Sequence, residues 1–240
     1  MSQTLPPLPT RTPKPAALPR PKLVAILRGL QLARAQAVGQ LLFEAGFRCI
    51  EVPLNRPQAL DCIAALCSVA PRDVLIGGGT MLTPKQVDDV FSAGGRLMVA
   101  PNSDAAVIAR AAALGMFCAP GVATPTEAFQ ALRAGAHALK LFPAEQIGVR
   151  GLKALCSVLP AETELWPVGG IGPSDLQAWH AAGATGFGIG SQLFQPHLDL
   201  PELAARAGDF LRAASKLPFG FGEAGAKPLP SSASGSAAQA

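Results

Sequence analysis

The chain repeats one pattern, in which a small-residue helix end and a glycine precede a short apolar strand. The pattern occurs five times, and its glycines are Gly46, Gly94, Gly115, Gly135 and Gly183. Successive glycines are 48, 21, 20 and 48 residues apart, so each long gap holds two units of about half that length. Glycine is favoured just after a helix because it adopts a positive φ there without strain. Each unit is therefore predicted to be one helix followed by one strand.

Together with the first apolar segment and the strands inside the two long gaps, the repeat gives eight strands. They are short and apolar, which is typical of a parallel sheet that is buried on both faces. The predicted strands are 23–27, 48–52, 74–78, 96–100, 116–119, 137–142, 165–169 and 185–189.

Eight strand–helix units predict an α/β fold, namely a single-domain (β/α)8 TIM barrel. The pairs Thr83-Pro84 and Pro173-Ser174 are predicted to begin helices. An open doubly wound sheet is the alternative fold. That fold requires a glycine-rich turn after the first strand, where this chain has Leu27-Arg28-Gly29 instead.

Composition divides the chain into three segments. Residues 1–22 are rich in proline and basic, so we expect a disordered arm. Residues 23–217 would form the barrel, and residues 218–240 a flexible low-complexity tail. The whole net charge of +4 equals the charge of the arm, so the body is neutral, which argues against nucleic-acid binding.

Other classes of function find no support in the sequence. No apolar run reaches the length of a membrane span, and the start lacks the apolar core of a signal peptide. The five cysteines form no CxxC pair and are predicted to be buried thiols of a reducing cytoplasm. The three histidines are scattered, so we expect no metal site.

Lys140 is the most informative residue of the chain. It lies within a strand, where alternation places Ala138, Lys140 and Phe142 on one face. An apolar lining disfavours the ammonium form, and a neutral amine can attack a ketone to form a Schiff base. The alternative is a structural lysine that reaches the edge of the barrel or pairs with an acid.

Other polar residues also fall at predicted strand ends, where barrel enzymes carry their active sites. Glu51 is a candidate general acid/base, or else a structural ion-pair partner of Arg28 or Lys140. Arg28 and Thr80 are candidates to hold a carboxylate, although Arg28 has a structural role as its alternative.

Strands seven and eight end in glycine-rich turns, which contain Gly169-Gly170 and Gly190-Ser191. Barrels bind phosphate between these two loops through backbone N–H groups, and glycine lets the backbone approach the anion closely. The loops therefore predict a phosphate site, with ordinary tight turns as the alternative.

Several stretches of the chain resemble the 2-keto-3-deoxy-6-phosphogluconate and -galactonate aldolases, a family of class I enzymes. The resemblance covers about residues 22–215, in family order and with family-like spacing. The matching stretches are LVAILRG, AGFRCIEVPLN, GGGT, APN, PGVATPTEA, ALKLFPA, VGGIGP and GIGS.

The resemblance implies a Schiff-base lysine at Lys140 and an acid/base glutamate at Glu51. It also implies a substrate-binding role for eight positions. These are Arg28, Thr80, Pro101, Phe142, Gly169, Gly170, Gly190 and Ser191. The partners it implies are pyruvate and a phosphorylated sugar acid, without metal or organic cofactor, in a homotrimer.

Gluconate-type members have Thr-Leu-Arg where this chain has Pro53-Leu54-Asn55, so the resemblance favours the 6-phosphogalactonate branch. The gluconate epimer is the alternative substrate. Two other classes stay open: an isomerase or synthase on a phosphate-binding barrel without a covalent adduct, and a non-catalytic sugar-phosphate sensor.

Overall fold

The computed structural model describes residues 23–218. The predicted arm, residues 1–22, and the predicted tail beyond Pro218 lie outside the described residues. Within 23–218, no helix is both long enough and apolar enough to cross a membrane.

Strands and helices alternate along the described chain, as the repeat predicts. The strands are β1 Leu23–Ile26, β2 Cys49–Pro53, β3 Leu75–Gly79, β4 Leu97–Val99, β5 Phe117–Ala119, β6 Gly121–Val122, β7 Ala138–Leu141, β8 Glu164–Pro167 and β9 Phe187–Ile189. The helices are α1 Leu32–Ala45, α2 Ala59–Val69, α3 Pro84–Ser92, α4 Ala105–Ala113, α5 Pro125–Ala134, α6 Ala144–Val158, α7 Leu176–Ala181 and α8 Leu200–Ser215.

The glycines of the repeat do what the sequence predicts. Gly46, Gly94, Gly115, Gly135 and Gly183 all have positive φ at helix ends. A side chain would be strained there, so these residues stop each helix and turn the chain towards the next strand.

One of the two predicted helix starts is confirmed, and the other is displaced. Thr83 caps α3 in a full capping box with Gln86, and Pro84 is the first helical residue. The start predicted at 172–174 is displaced, because α7 begins at Leu176. In the intervening turn the Asp175 carboxylate accepts a hydrogen bond from the backbone N–H of Gly172 at 2.8 Å.

All strand pairs are parallel, and the strands form two sheets. The larger sheet has the order β5-β4-β3-β2-β1-β9, and the smaller has the order β6-β7-β8. The last strand lies beside the first, and the order of the larger sheet never reverses along the chain. This arrangement rules out the doubly wound alternative, in which strand order reverses at a switch point.

The predicted fifth strand, 116–119, corresponds to β5, and a further short strand that was not predicted, β6, follows it after Pro120. Proline has no N–H to donate to a ladder, so the pairing changes partner at this residue. β5 pairs with β4, whereas β6 pairs with β7. The two sheets meet at this point.

Backbone contacts join the two sheets on both sides. On one side, the N–H of His137 donates to Cys118 O at 2.8 Å and that of Lys140 donates to Pro120 O at 2.9 Å. On the other side, Val168 and Gly188 form a parallel bridge between the end of β8 and β9. The fold is therefore a curled, parallel α/β structure.

Each face of the strands is covered by its own group of buried apolar residues. The larger core contains residues from strands and helices, so it fills the space between these layers. The smaller core contains strand residues alone, so it lies on the inner face of the curled sheets. Its members are Val24, Cys49, Leu75, Leu97, Val99, Phe117, Ala119, Ala138 and Trp166.

Candidate active site

Lys140 and Glu51 meet on the inner face of the sheets. The Lys140 Nζ lies 3.6 Å from Glu51 Oε1, and the side chains are 11% and 2% exposed. The alternation predicted for β7 is confirmed, since Ala138 belongs to the inner core and Phe142 places its ring centroid 5.3 Å from Lys140 Nζ. The two predicted catalytic side chains are thus brought together in an apolar setting.

A small pocket surrounds this pair. Apart from Lys140 and Glu51, its lining is apolar. The lining residues are Val24, Ile26, Glu51, Val99, Lys140, Trp166, Val168 and Gly188. A pocket with few polar groups at its base is typical of a small-molecule site.

Glycine makes room for the Glu51 carboxylate. A Cβ at Gly79 would lie 2.6 Å from Glu51 Oε2 and 2.9 Å from its Cδ. These distances are shorter than a van der Waals contact, so any side chain at Gly79 would displace the carboxylate. The predicted glycine-rich run before Thr80 therefore has a steric reason in addition to the predicted exposure of its amides.

Thr80 follows this glycine with a φ of 56°. A β-branched residue is rare in the left-handed region, and such strain costs about 1–3 kcal/mol. Strained residues of this kind cluster at ligand sites, and this geometry supports the predicted role of Thr80.

Five of the predicted binding residues lie two positions beyond a residue that lines the pocket. Because strand side chains alternate, this spacing carries the same face outward to the mouth. The pairs are Ile26 with Arg28, Val99 with Pro101, Lys140 with Phe142, Val168 with Gly170, and Gly188 with Gly190. This spacing predicts that these residues, with Thr80, Gly169 and Ser191, form a rim around the pocket.

Arg28 is exposed on the rim and does not pair with Glu51. Its Nη1 lies 3.5 Å from Asn55 Oδ1, which is a long contact. The guanidinium is therefore available to a ligand.

The Gly169-Gly170 loop lies against a residue that the sequence did not single out. A Cβ at Gly169 would lie 2.4 Å from Glu145 Oε2, and one at Gly170 would lie 2.9 Å from Glu145 Oε1. Both glycines have positive φ. Phosphate binding at this loop requires the exposed Glu145 carboxylate to turn towards solvent, because two anions repel each other.

Cys49 belongs to the inner core below Glu51. Burial raises the pKa of its thiol well above the ordinary value, and the Glu51 charge raises it further. Burial also raises the pKa of Cys118 to about 12. These thiols stay protonated at neutral pH, so neither is an activated nucleophile.

Trp166 also lines the pocket and was missed by the sequence reasoning. Its strand was predicted, but an apolar run gives no sign of which side chains face inward. Among residues 23–218, the buried atoms Trp166 Nε1 and Glu51 Oε2 have no hydrogen-bond partner. No three His, Cys, Asp or Glu side chains of these residues are grouped so as to hold a metal ion.

Comparison with known proteins identifies the family. The model of the KDPG and KHG aldolase family matches residues 16–205. The chain belongs to this family. It is 45% identical over 185 residues to a probable 2-dehydro-3-deoxy-6-phosphogalactonate aldolase of Rhizobium meliloti, covering 77% of this chain and 87% of that protein.

Other relatives agree with this assignment. The 2-dehydro-3-deoxy-6-phosphogalactonate aldolase of Escherichia coli is 43% identical over 191 residues, with 80% of this chain and 93% of that protein covered. A solved structure described as native KDPGal is 42% identical with a TM-score of 0.80, covering 82% of this chain and 95% of that chain. A 3-hexulose-6-phosphate synthase, 19% identical with a TM-score of 0.63 over 80% of this chain and 99% of that chain, shares the fold alone.

The steric role of Gly79 can be tested. Changing Gly79→Ala should lower the rate of aldol cleavage by about a hundredfold, because the methyl group displaces the Glu51 carboxylate by about 1 Å. Gly208→Ala in α8 is the control, since its Cβ would meet the flexible end of Arg212 at 3.0 Å. Cleavage and thermal unfolding are measured for both. A folded Gly79→Ala protein with the activity of the control would contradict the prediction.

Proposed function

We propose that this protein is a class I aldolase that cleaves 2-dehydro-3-deoxy-6-phospho-D-galactonate into pyruvate and D-glyceraldehyde 3-phosphate. The observation that carries the proposal is the buried contact between Lys140 and Glu51, 3.6 Å apart at the base of an apolar pocket. Family membership supports it, because aldolases of this family are the relatives of the chain.

The first half of the reaction forms a covalent adduct. Neutral Lys140 adds through Nζ to the C2 ketone of the substrate, which gives a carbinolamine. Glu51, which has taken the proton lost by the amine, gives it to the hydroxyl of the carbinolamine, which leaves as water, and an iminium results. This attack requires the neutral amine, so a proton has to leave Nζ before the C–N bond forms. The contact with Glu51 keeps a proton acceptor beside the nitrogen.

The second half breaks the carbon chain. Glu51 takes the proton of the C4 hydroxyl, directly or through a water, as the C3–C4 bond breaks and its electron pair moves into the iminium. Glyceraldehyde 3-phosphate departs, and an enamine stays on Lys140. Protonation at C3 and hydrolysis then release pyruvate. The iminium is the electron sink, so the scheme uses no metal and no organic cofactor.

The rim residues supply binding and alignment in this scheme. Arg28 and Thr80 hold the carboxylate next to C2, and the amides of Gly169, Gly170 and Gly190 with the Ser191 hydroxyl hold the phosphate. Pro101 and Phe142 line the space between. Binding of the remote phosphate aligns the substrate with Lys140, so its binding energy is used to lower the barrier.

The galactonate epimer is favoured over the gluconate epimer. Two relatives above 40% identity carry the galactonate name, whereas a KHG/KDPG aldolase of Escherichia coli is 29% identical over 192 residues. Asn55 stands where gluconate-type members have arginine. Arg28, which lies 3.5 Å from Asn55 Oδ1, is therefore the cation that would hold the substrate carboxylate in this scheme.

The proposal extends to the architecture. The backbone contacts across both junctions support a complete (β/α)8 barrel, in which β5 and β6 count as one unit. Residues 23–217 would be this catalytic body, with residues 1–22 as an arm and 218–240 as a tail. A cytoplasmic location fits the protonated, unpaired thiols of the described chain.

We also propose a homotrimer. Leu32, Leu60 and Leu82 are exposed by 37%, 37% and 48%, and they lie at the starts of the neighbouring helices α1, α2 and α3. These starts share the edge of the sheet that carries the rim. Large exposed apolar residues grouped in this way mark a contact surface, here with a second copy of the chain.

Borohydride trapping tests the covalent step. With pyruvate present, reduction should fix one pyruvyl group on the protein, and peptide mapping should place it on Lys140. Lys140→Ala should abolish both the adduct and cleavage, and thermal unfolding should show that the protein stays folded. Lys153→Ala, an exposed lysine of α6, should behave as the unchanged protein.

Pyruvate binding without an adduct would remove Lys140 from the chemistry. The non-covalent synthase or isomerase would then be the better hypothesis. Pyruvate and sugar-phosphate binding without turnover would instead favour the sensor.

Substrate choice is tested by measuring kcat/KM for the two C4 epimers under identical conditions. The galactonate compound should be preferred by at least about tenfold, since a misplaced hydroxyl loses its hydrogen bonds in the site. Pyruvate release is followed with a coupled lactate dehydrogenase. A ratio of one or below would contradict the galactonate assignment.

The oligomer is tested by sedimentation. The mass should be about three times the 24.6 kDa of one chain. Leu82→Arg should lower this mass by placing a charge in the contact surface, whereas Val158→Arg, which changes an exposed valine at the end of α6, should not. A monomer, or loss of mass with Val158→Arg alone, would contradict the proposed surface.

A further inference from the structure

Trp166 lies directly beside the reactive lysine. It is the register partner of Lys140 on the neighbouring parallel strand, so the two side chains project from the same face of the sheet. The side chain is 2% exposed and lines the same pocket as Lys140 and Glu51.

Aromatic packing fixes the orientation of this indole. The ring stacks on Phe117 with 5.4 Å between centroids and 2° between planes, and Phe117 stacks on His137 at 5.1 Å. A phenylalanine at position 166 would supply the same stacking surface. Packing therefore accounts for an aromatic ring at this position but gives no reason for an indole N–H.

The N–H has a matching acceptor in the same pocket. Within residues 23–218, Trp166 Nε1 is buried without an acceptor, and Glu51 Oε2 is buried without a donor. Buried polar groups of proteins are nearly always paired, directly or through an ordered water. A water in this pocket would accept from the indole N–H and donate to the carboxylate.

We propose that Trp166 is a positioning residue that, together with Glu51, holds the water through which protons pass between Glu51 and the substrate. In cleavage, this water takes the C4 hydroxyl proton and gives one of its own protons to Glu51 Oε2. In enamine protonation the transfers reverse, with Glu51 returning a proton to the water and the water giving one to C3. No water is consumed in either step. This inference rests on the proposed Schiff-base function.

The test is Trp166→Phe, which keeps the stacked ring and removes the N–H. Exchange of the pyruvate methyl hydrogens in D2O, followed by NMR, reports proton transfer at C3 without the cleavage step. We expect the exchange rate and kcat to fall by about tenfold, the effect of one lost hydrogen bond. The KM for pyruvate and the borohydride adduct on Lys140 should be unchanged.

Trp179→Phe is the matched control, because Trp179 belongs to the outer core on α7 and does not line the pocket. It should exchange pyruvate hydrogens at the rate of the unchanged protein. Exchange in Trp166→Phe within about twofold of that rate, with the adduct intact, would overturn the inference. Failure of the unchanged protein to form the adduct would instead overturn the proposed function on which the inference rests.

A second measurement does not depend on how Trp166→Phe folds. The chain has two tryptophans, so Trp179→Phe leaves one indole N–H signal. In ¹⁵N-labelled protein this signal should shift when pyruvate is added and when Glu51→Gln is introduced. An indole signal that neither change moves would show that the N–H does not face the reacting groups.

Discussion

The interior of this protein is organised around the contact between a buried lysine and a buried glutamate. An ion pair enclosed by apolar strands is costly, because two charges lose their hydration, and removing one partner of such a pair usually costs about 3–5 kcal/mol. The pair occupies the centre of the inner face, where a core residue would stabilise the fold better. On the proposed function, Lys140 and Glu51 are kept for chemistry, and the strands around them have to supply both the space and the rigidity.

Glycine supplies the space. Several inward positions of the strands carry no side chain, and in each case a Cβ would meet a neighbour. At Gly77 it would lie 1.9 Å from Leu97 O, at Gly79 2.6 Å from Glu51 Oε2, and at Gly188 2.5 Å from Val168 Cγ2. Gly79 therefore leaves room for the Glu51 carboxylate and Gly188 for Val168 beside the pocket, whereas Gly77 lets β3 and β4 approach closely. The rigidity comes from the inner core, where the rings of Phe117 and Trp166 stack on each other.

Sequence periodicity predicted most of the fold, because its signal is local. A glycine after each helix needs a positive φ whatever the tertiary structure, and all five such glycines have one. The extra strand β6 after Pro120 was not predicted, because it depends on which neighbour pairs with the chain at that point. The displaced start of α7 at Leu176 was not predicted either, because a turn closed by Asp175 precedes it. Alternation predicted that Lys140 shares a face with Ala138 and Phe142, whereas Glu51 was singled out as a carboxylate at the end of an apolar strand, with Arg28 or Lys140 as its possible ion-pair partner.

The residues that sequence reasoning missed share a cause. Trp166 and Glu145 acquire their importance from neighbours far along the chain, since the first lies beside Lys140 and the second covers the Gly169-Gly170 loop. No spacing in the sequence marks a buried N–H without an acceptor, because satisfaction of a hydrogen bond is a property of the packed structure. Only some residues of the site can therefore be predicted from the sequence. The proposed reacting groups are polar residues within apolar strands, so the sequence shows them. The groups proposed to position them do not stand out in the sequence, because their role depends on tertiary contacts.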